Sequence, residues 1–137
     1  MATTPKEEVI RNLAAARGRG DFAAARALIT DDITWHEPGE ADYSGDHRGA
    51  DAVVSIWRDL AAATGNTFVL DPQEIVVTDD HAAARTRWWA ERDRVRVEGN
   101  EIAVYRFVDG KIAEVWFWYD GYDPQAHDTV FSLTERP

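Results

Sequence analysis

The chain has 137 residues, 25 acidic against 15 basic side chains, a net charge of −10 and no cysteine. Its length fits one domain with a real core. The acidic balance argues against nucleic acid, which needs clustered Lys and Arg, and the missing cysteines exclude disulfides, thiolate metal sites and a cysteine nucleophile.

No apolar run approaches the roughly 20 residues of a membrane span. The start, Met-Ala-Thr-Thr-Pro-Lys, lacks the apolar core of a signal peptide, so a cytoplasmic protein without a membrane partner is expected. The bias towards Ala, Arg and Asp, with two lysines, points to a GC-rich bacterial genome.

Residues 5 to 17 read as a first helix, with Pro5 in its first turn and Val9, Ile10, Leu13 and Ala16 on one side. Gly18 and Gly20 end it. Asp21 can cap a second helix to about Leu28. A strand from Ile33 to Glu37 stops at Pro38-Gly39, and a loop rich in Gly, Asp and His covers 39 to 49. A third helix from Ala50 to Ala63 carries Val53, Val54, Ile56, Trp57 and Leu60 and stops at Gly65.

The period then changes to two. Residues 67 to 78 form a strand interrupted near Asp71-Pro72, and His81 to Arg94 form another. Glu101 to Tyr119 fold back at Asp109-Gly110, and residues after Gly121 read as a short, loose tail. Helices segregated before a run of antiparallel strands mean an α+β fold, a curved sheet wrapped around its own helices. Arg85, Arg87, Arg92, Arg94 and Arg96 fall at strand spacing beside acids, as in exposed ladders.

Both faces of the last hairpin are apolar or aromatic, so each must be covered. A two-residue loop pairs Val108 with Lys111. A three-residue loop ending in a left-handed Gly110 pairs Phe107 with Lys111. The second puts Arg106 and Glu114 on one face and is preferred. Glu101, Ala103, Tyr105, Phe107, Ala113, Val115, Phe117 and Tyr119 then face one way, and Ile102, Val104, Ile112, Trp116 and Trp118 the other. A slip of one residue would exchange the faces.

Three segments together, Asp31-Asp32-Ile-Thr-Trp-His-Glu-Pro-Gly39, Ser44-Gly-Asp-His-Arg-Gly49 and Phe107-Val-Asp-Gly-Lys-Ile-Ala-Glu-Val-Trp116, resemble SnoaL-like proteins. These belong to the nuclear-transport-factor-2-like superfamily, with ketosteroid isomerase, limonene epoxide hydrolase and scytalone dehydratase. The resemblance implies a single domain over 1–137, with a core at about 6–122 and a tail at 123–137. The implied architecture is a cone of curved antiparallel sheet closed by N-terminal helices around one pocket, dimerising through the outer sheet face. Such folds host many chemistries and also non-catalytic binders.

Glu37 stands where ketosteroid isomerases carry their base, while their oxyanion pair falls on Ala103 and Leu13. Of the epoxide hydrolases' Asp-Arg-Asp set only the Arg remains, as Arg87, with Trp89 and Phe117 at the acid positions. The cyclases' Asp lies a short slip from Asp120.

Glu37 is thus the first candidate acid or base; a solvated strand-end carboxylate is the plainer reading. Arg87 and Glu101 share its inward parity and can orient a carbonyl or carboxylate of the ligand, or form a structural ion pair. Trp35, Trp89, Tyr105, Phe117 and Tyr119 would line a pocket for a flat or polycyclic apolar ligand, with Tyr43 and Trp57 closing it. His36 faces away, packed or towards a partner, and becomes catalytic only if its strand bulges. His47, beside Asp46, suits a lid over the mouth. His36, Glu37, Asp46 and His47 lack metal-ligand spacing, and no metal or cofactor is expected. Trp88, Trp116 and Trp118 suit a homodimer interface. The expected function is a cofactor-independent isomerase, cyclase or hydrolase using a buried acid/base; the alternative is a non-catalytic small-molecule-binding or protein-interaction module.

Overall fold

The computed structural model describes residues 4–133. In chain order the elements are α1 (Pro5–Gly18), α2 (Phe22–Arg26), β1 (Ile29–Glu37), β2 (Gly45–Arg48), α3 (Ala50–Ala63), β3 (Val69–Val77), β4 (His81–Arg92), β5 (Val95–Val108), β6 (Lys111–Asp120) and α4 (Pro124–Phe131). The six strands form one curved, unclosed sheet in the order β2-β1-β6-β5-β4-β3. All neighbours are antiparallel except β1 and β6.

The helices start where the sequence supplies caps. The Thr4 hydroxyl accepts from Glu7 N at 3.2 Å, with Pro5 following it. The Asp21 carboxylate accepts from Ala24 N at 3.1 Å. Each satisfies an orphan donor of a first turn. Ile10, Leu13 and Ala16 of α1 pack with Val53, Val54 and Trp57 of α3 against the concave sheet face. That face is built largely from small residues on β4 and β5: Ala82, Ala84, Ala90 and Ala103 are all buried.

The expected three-residue hairpin loop is not what forms. Val108 pairs with Lys111 around a two-residue turn, with Asp109 at φ 51° and Gly110 at φ 80°, both in the left-handed region such a turn requires. The register then shifts between Arg106 and Phe107, so that Phe107 pairs with Ile112 and Arg106 with Glu114. The extra residue in β6 reverses the parity set by the turn. Two departures from the expectation cancel, and Tyr105, Val115, Phe117 and Tyr119 face inward as the longer loop required. Ile112 lies before the shift and pays for it: expected outside, it is fully buried in the core.

Other elements differ as well. The loop expected at 39–49 contains β2, which pairs with β1 as an edge hairpin. β5 begins at Val95, around a turn at Asp93 (φ 52°) and Arg94 (φ 66°) that carries no glycine. Pro72 sits in edge strand β3 beside an irregular register, where its missing N–H is tolerated. The stretch after Gly121, expected to be loose, forms α4. Asp123 caps it, accepting from Gln125 N at 2.9 Å, and Val130 and Phe131 are buried against Trp88, Val97 and Leu60. Residues 134–137 of the expected tail lie outside the described residues.

Candidate functional site

Strand parity on β1 sends Ile33, Trp35 and Glu37 into the cone and Thr34 and His36 outward. Glu37 ends the strand at 6% exposure. Its carboxylate accepts a hydrogen bond from Trp35 Nε1 at 3.1 Å and another, very short, from the Tyr119 hydroxyl. Burial pushes the Glu37 carboxyl above the ordinary Glu range, opposed by those two donors and by the charge of Arg17. Desolvation and the neighbouring Glu37 push the Tyr119 hydroxyl upward too, so Tyr119 remains a donor.

Around Glu37 lies a cavity of about 390 Å³, counting its mouth, lined by α1 (Arg17), β1 (Trp35), the loop before β2 (Tyr43), β4 (Trp88), β5 (Glu101), β6 (Phe117, Tyr119) and α4 (His127, Phe131). Its aromatic lining is continuous: Trp35 packs tilted against Phe117 at 4.8 Å, and Phe117 stacks on Tyr119 at 6.0 Å, while Trp57, expected to close this pocket, packs edge-on behind Trp35 at 5.4 Å and borders a second cavity.

Glu101, 7% exposed, is the second interior acid. Burial pushes its carboxyl up to about 8, against the attraction of Arg17. At neutral pH it is therefore mostly protonated and able to donate. Tyr105 is buried deeper, beside a smaller cavity that Arg17, Trp35, Glu101 and Phe117 also border.

β4 corrects the expected site. Register with β5 sets Thr86 opposite Glu101 and Trp88 opposite Gly99, so the even positions point inward. Trp88, expected at a dimer interface, is 3% exposed and lines the cavity. Arg87 and Trp89, expected inside, lie on the outer face. There Arg87 donates to Glu98 at 3.3 Å and stacks over Trp89 at 5.1 Å. Close packing decides the choice, because only a glycine partner leaves room for the indole: a Cβ on Gly99 would stand 2.8 Å from Trp88 Cζ2.

The cation of the site is instead Arg17, which the sequence reading passed over as a last-turn charge. Its guanidinium lies over the rings of Trp57, Trp35 and Phe68 at 5.2, 5.5 and 5.7 Å. Burial pulls its pKa below the ordinary Arg value, against the charges of Glu101 and Glu37. His127 was missed with α4. Its Nε2 is 3.0 Å from the Tyr43 hydroxyl, and burial lowers its pKa, which keeps the ring neutral.

The lower-ranked candidates lie apart. His36 is on the outer face between two carboxylates, with Nδ1 2.7 Å from Asp46 and Nε2 2.6 Å from Glu114. Burial lowers its pKa, but those hydrogen bonds outweigh it and the net shift is upward. His47 belongs to β2, its Nε2 held 2.6 Å from the Tyr43 carbonyl oxygen. Asp120 is exposed at the end of β6 and accepts from Gly121 N, outside the cavity. Among the described residues no group of three or more His, Asp or Glu could hold a metal ion, and no helix is long and apolar enough to cross a membrane.

The curved sheet packed on its helices is the fold of an NTF2-like protein of Burkholderia xenovorans, 20% identical with a TM-score of 0.70 over 96% of this chain and 99% of its own. The model of the SnoaL-like domain matches residues 10–115, and the chain belongs to that family. A curated relative, Rv0034 of Mycobacterium tuberculosis, is 27% identical over 126 residues, covering 91% of this chain and 95% of its own. Bal32a, from a soil-derived mobile gene cassette, is 26% identical with a TM-score of 0.83, over 93% of this chain and 96% of its own. IdmH of Streptomyces antibioticus, described as a candidate polyketide cyclase, is 25% identical with a TM-score of 0.71, over 86% and 93%. The fold is thus shared with a candidate polyketide cyclase.

Proposed function

We propose that this chain is a cofactor-independent small-molecule enzyme of isomerase, cyclase or hydrolase type, with Glu37 moving the proton. The observation that carries the reading is Glu37 itself: a carboxyl buried at the cavity wall, raised in pKa by desolvation and aimed by Trp35 and Tyr119. A base near the operating pH balances the fraction ionised against its strength. Glu101, protonated at neutral pH, stands in the same cavity, suited to donate to negative charge as it develops on a carbonyl oxygen. Arg87, on the outer face, has no part in this chemistry. The apolar lining suits a flat ligand. Membership of a family with cyclase neighbours supports the reaction type.

The test is deuterium exchange into an enolisable aryl ketone such as 2-tetralone. The protein accelerates exchange at the carbon beside the carbonyl, and Glu37→Gln abolishes the acceleration. Equal rates with and without protein would refute the reading.

We also propose a homodimer through the outer sheet face. Trp118 is 57% exposed there beside Ile102 and Trp116, which stacks on His36 at 5.5 Å.

A further inference from the structure

A guanidinium enclosed by aromatic rings needs a hydrogen-bond acceptor, since rings supply faces to a cation but no lone pairs in its plane. Among the described residues none supplies one: Arg17 pairs with no carboxylate, and the half-buried side chain turns its guanidinium to the cavity without a protein acceptor. Arg17 is not alone in this. The buried Nε1 atoms of Trp88 and Trp57 have no partner, and the Glu101 carboxyl makes no hydrogen bond although the residue is 93% buried, facing the same cavity. Arg17, Trp88 and Glu101 all line that cavity, and Trp57 shares a second, smaller one with Arg17. Buried polar groups are rarely left unsatisfied, and unmatched ones clustered at a cavity point to a bound group.

Three of these four groups are donors only. What they lack is an acceptor, and beside an arginine the matching acceptor is anionic: a guanidinium fork fits a carboxylate in two parallel hydrogen bonds. The fourth, Glu101, carries its proton at neutral pH and so adds a donor. The remaining lining is aromatic.

We propose that the cavity binds a flat, apolar carboxylic acid as its carboxylate, held by Arg17 with the Trp88 indole N–H, its skeleton lying along Phe117 towards Glu37. This deepens the reading of the cavity as the reaction site and rests on it. Arg17 is the residue that sets specificity; Glu37 acts on the part of the ligand away from the carboxylate.

The test compares 2-naphthoate with 2-naphthamide, nearly isosteric but differing in charge, by calorimetry at pH 7. The wild-type protein binds the naphthoate at least about tenfold tighter. Arg17→Met removes that preference while still binding the amide, Arg17→Lys keeps part of it, and Glu37→Gln keeps it, so failure of the proton-transfer role would leave this result standing. Because Arg17→Met removes a packed side chain, nuclear Overhauser contacts from naphthoate to the Trp88 and Phe117 rings of the wild type locate the ligand independently. Equal affinity for the two probes, binding of neither, a preference that survives in Arg17→Met, or no contact to Trp88 and Phe117 would each overturn the proposal.

Discussion

Trp88 and Gly99 face each other across β4 and β5, and the missing side chain of one makes the space for the other. A Cβ on Gly99 would meet Trp88 Cζ2 at 2.8 Å, Tyr122 Cβ at 3.0 Å and the Asp120 carbonyl oxygen at 3.1 Å. Two of the three are backbone or first side-chain atoms, which cannot swing aside. Gly99→Ala should therefore cost about 1–3 kcal/mol by overpacking. Urea denaturation measures it, and a change under 0.5 kcal/mol would mean that Trp88 is free to move.

α4 is part of the core. Phe131 is buried against Phe68 at 4.9 Å and His127 at 4.8 Å. Phe131→Ala should lose about 3 kcal/mol, as for other buried phenylalanines. It should also open the cavity wall beside His127. A loss below 1 kcal/mol would show that α4 is undocked in solution.

Glu101 makes stability depend on pH. Its folded pKa, about 8, lies above its ordinary value of 4.5, so the folded state holds a proton that the unfolded state releases. Its contribution is full below about pH 4.5 and is lost as pH rises towards 8. A shift of this size corresponds to roughly 3–5 kcal/mol. Glu37 and His36, also raised, add to the same downward slope above their ordinary 4.5 and 6.5. Urea midpoints at pH 5.5 and 8.5, compared between wild type and Glu101→Gln, read the Glu101 share: the variant should flatten the largest part of the decline. An unchanged slope in that variant would place the proton elsewhere.

The outer face predicts an oligomer. Sedimentation at micromolar concentration should give a dimer, and Trp118→Asp, which puts a charge on an exposed residue, should give a folded monomer. A monomeric wild type would contradict the assignment.

Which parts of this were legible in the sequence follows from how strongly each signal was constrained. α1 and α3 were, because Pro5, Gly18 and Gly65 bracket them and their apolar periods are unbroken. The inward face of the last hairpin was found, but for the wrong reason: local turn rules cannot show a shift one residue past the turn. β4 failed because Trp88 and Trp89 are equally apolar and alternation cannot rank them. The deciding signals were on hand, small Ala82, Ala84 and Ala90 on one parity and a glycine in the facing strand. Asp123-Pro124 was a readable helix start that a short, polar segment obscured. Arg17 could not have been found by motif, because only packing of α1 into the sheet places a terminal arginine among three rings.

The proposed chemistry turns on Glu37. Carbon-13 NMR of the protein labelled at glutamate carboxyls, with Glu37 assigned from Glu37→Gln, measures its titration directly. The expected result is an apparent pKa clearly above the ordinary value of 4.5, little changed in Glu101→Gln, because Glu101 still holds its proton while Glu37 titrates. A Glu37 that titrates near 4 would contradict it, because a carboxyl of ordinary acidity is not poised to carry a proton at neutral pH.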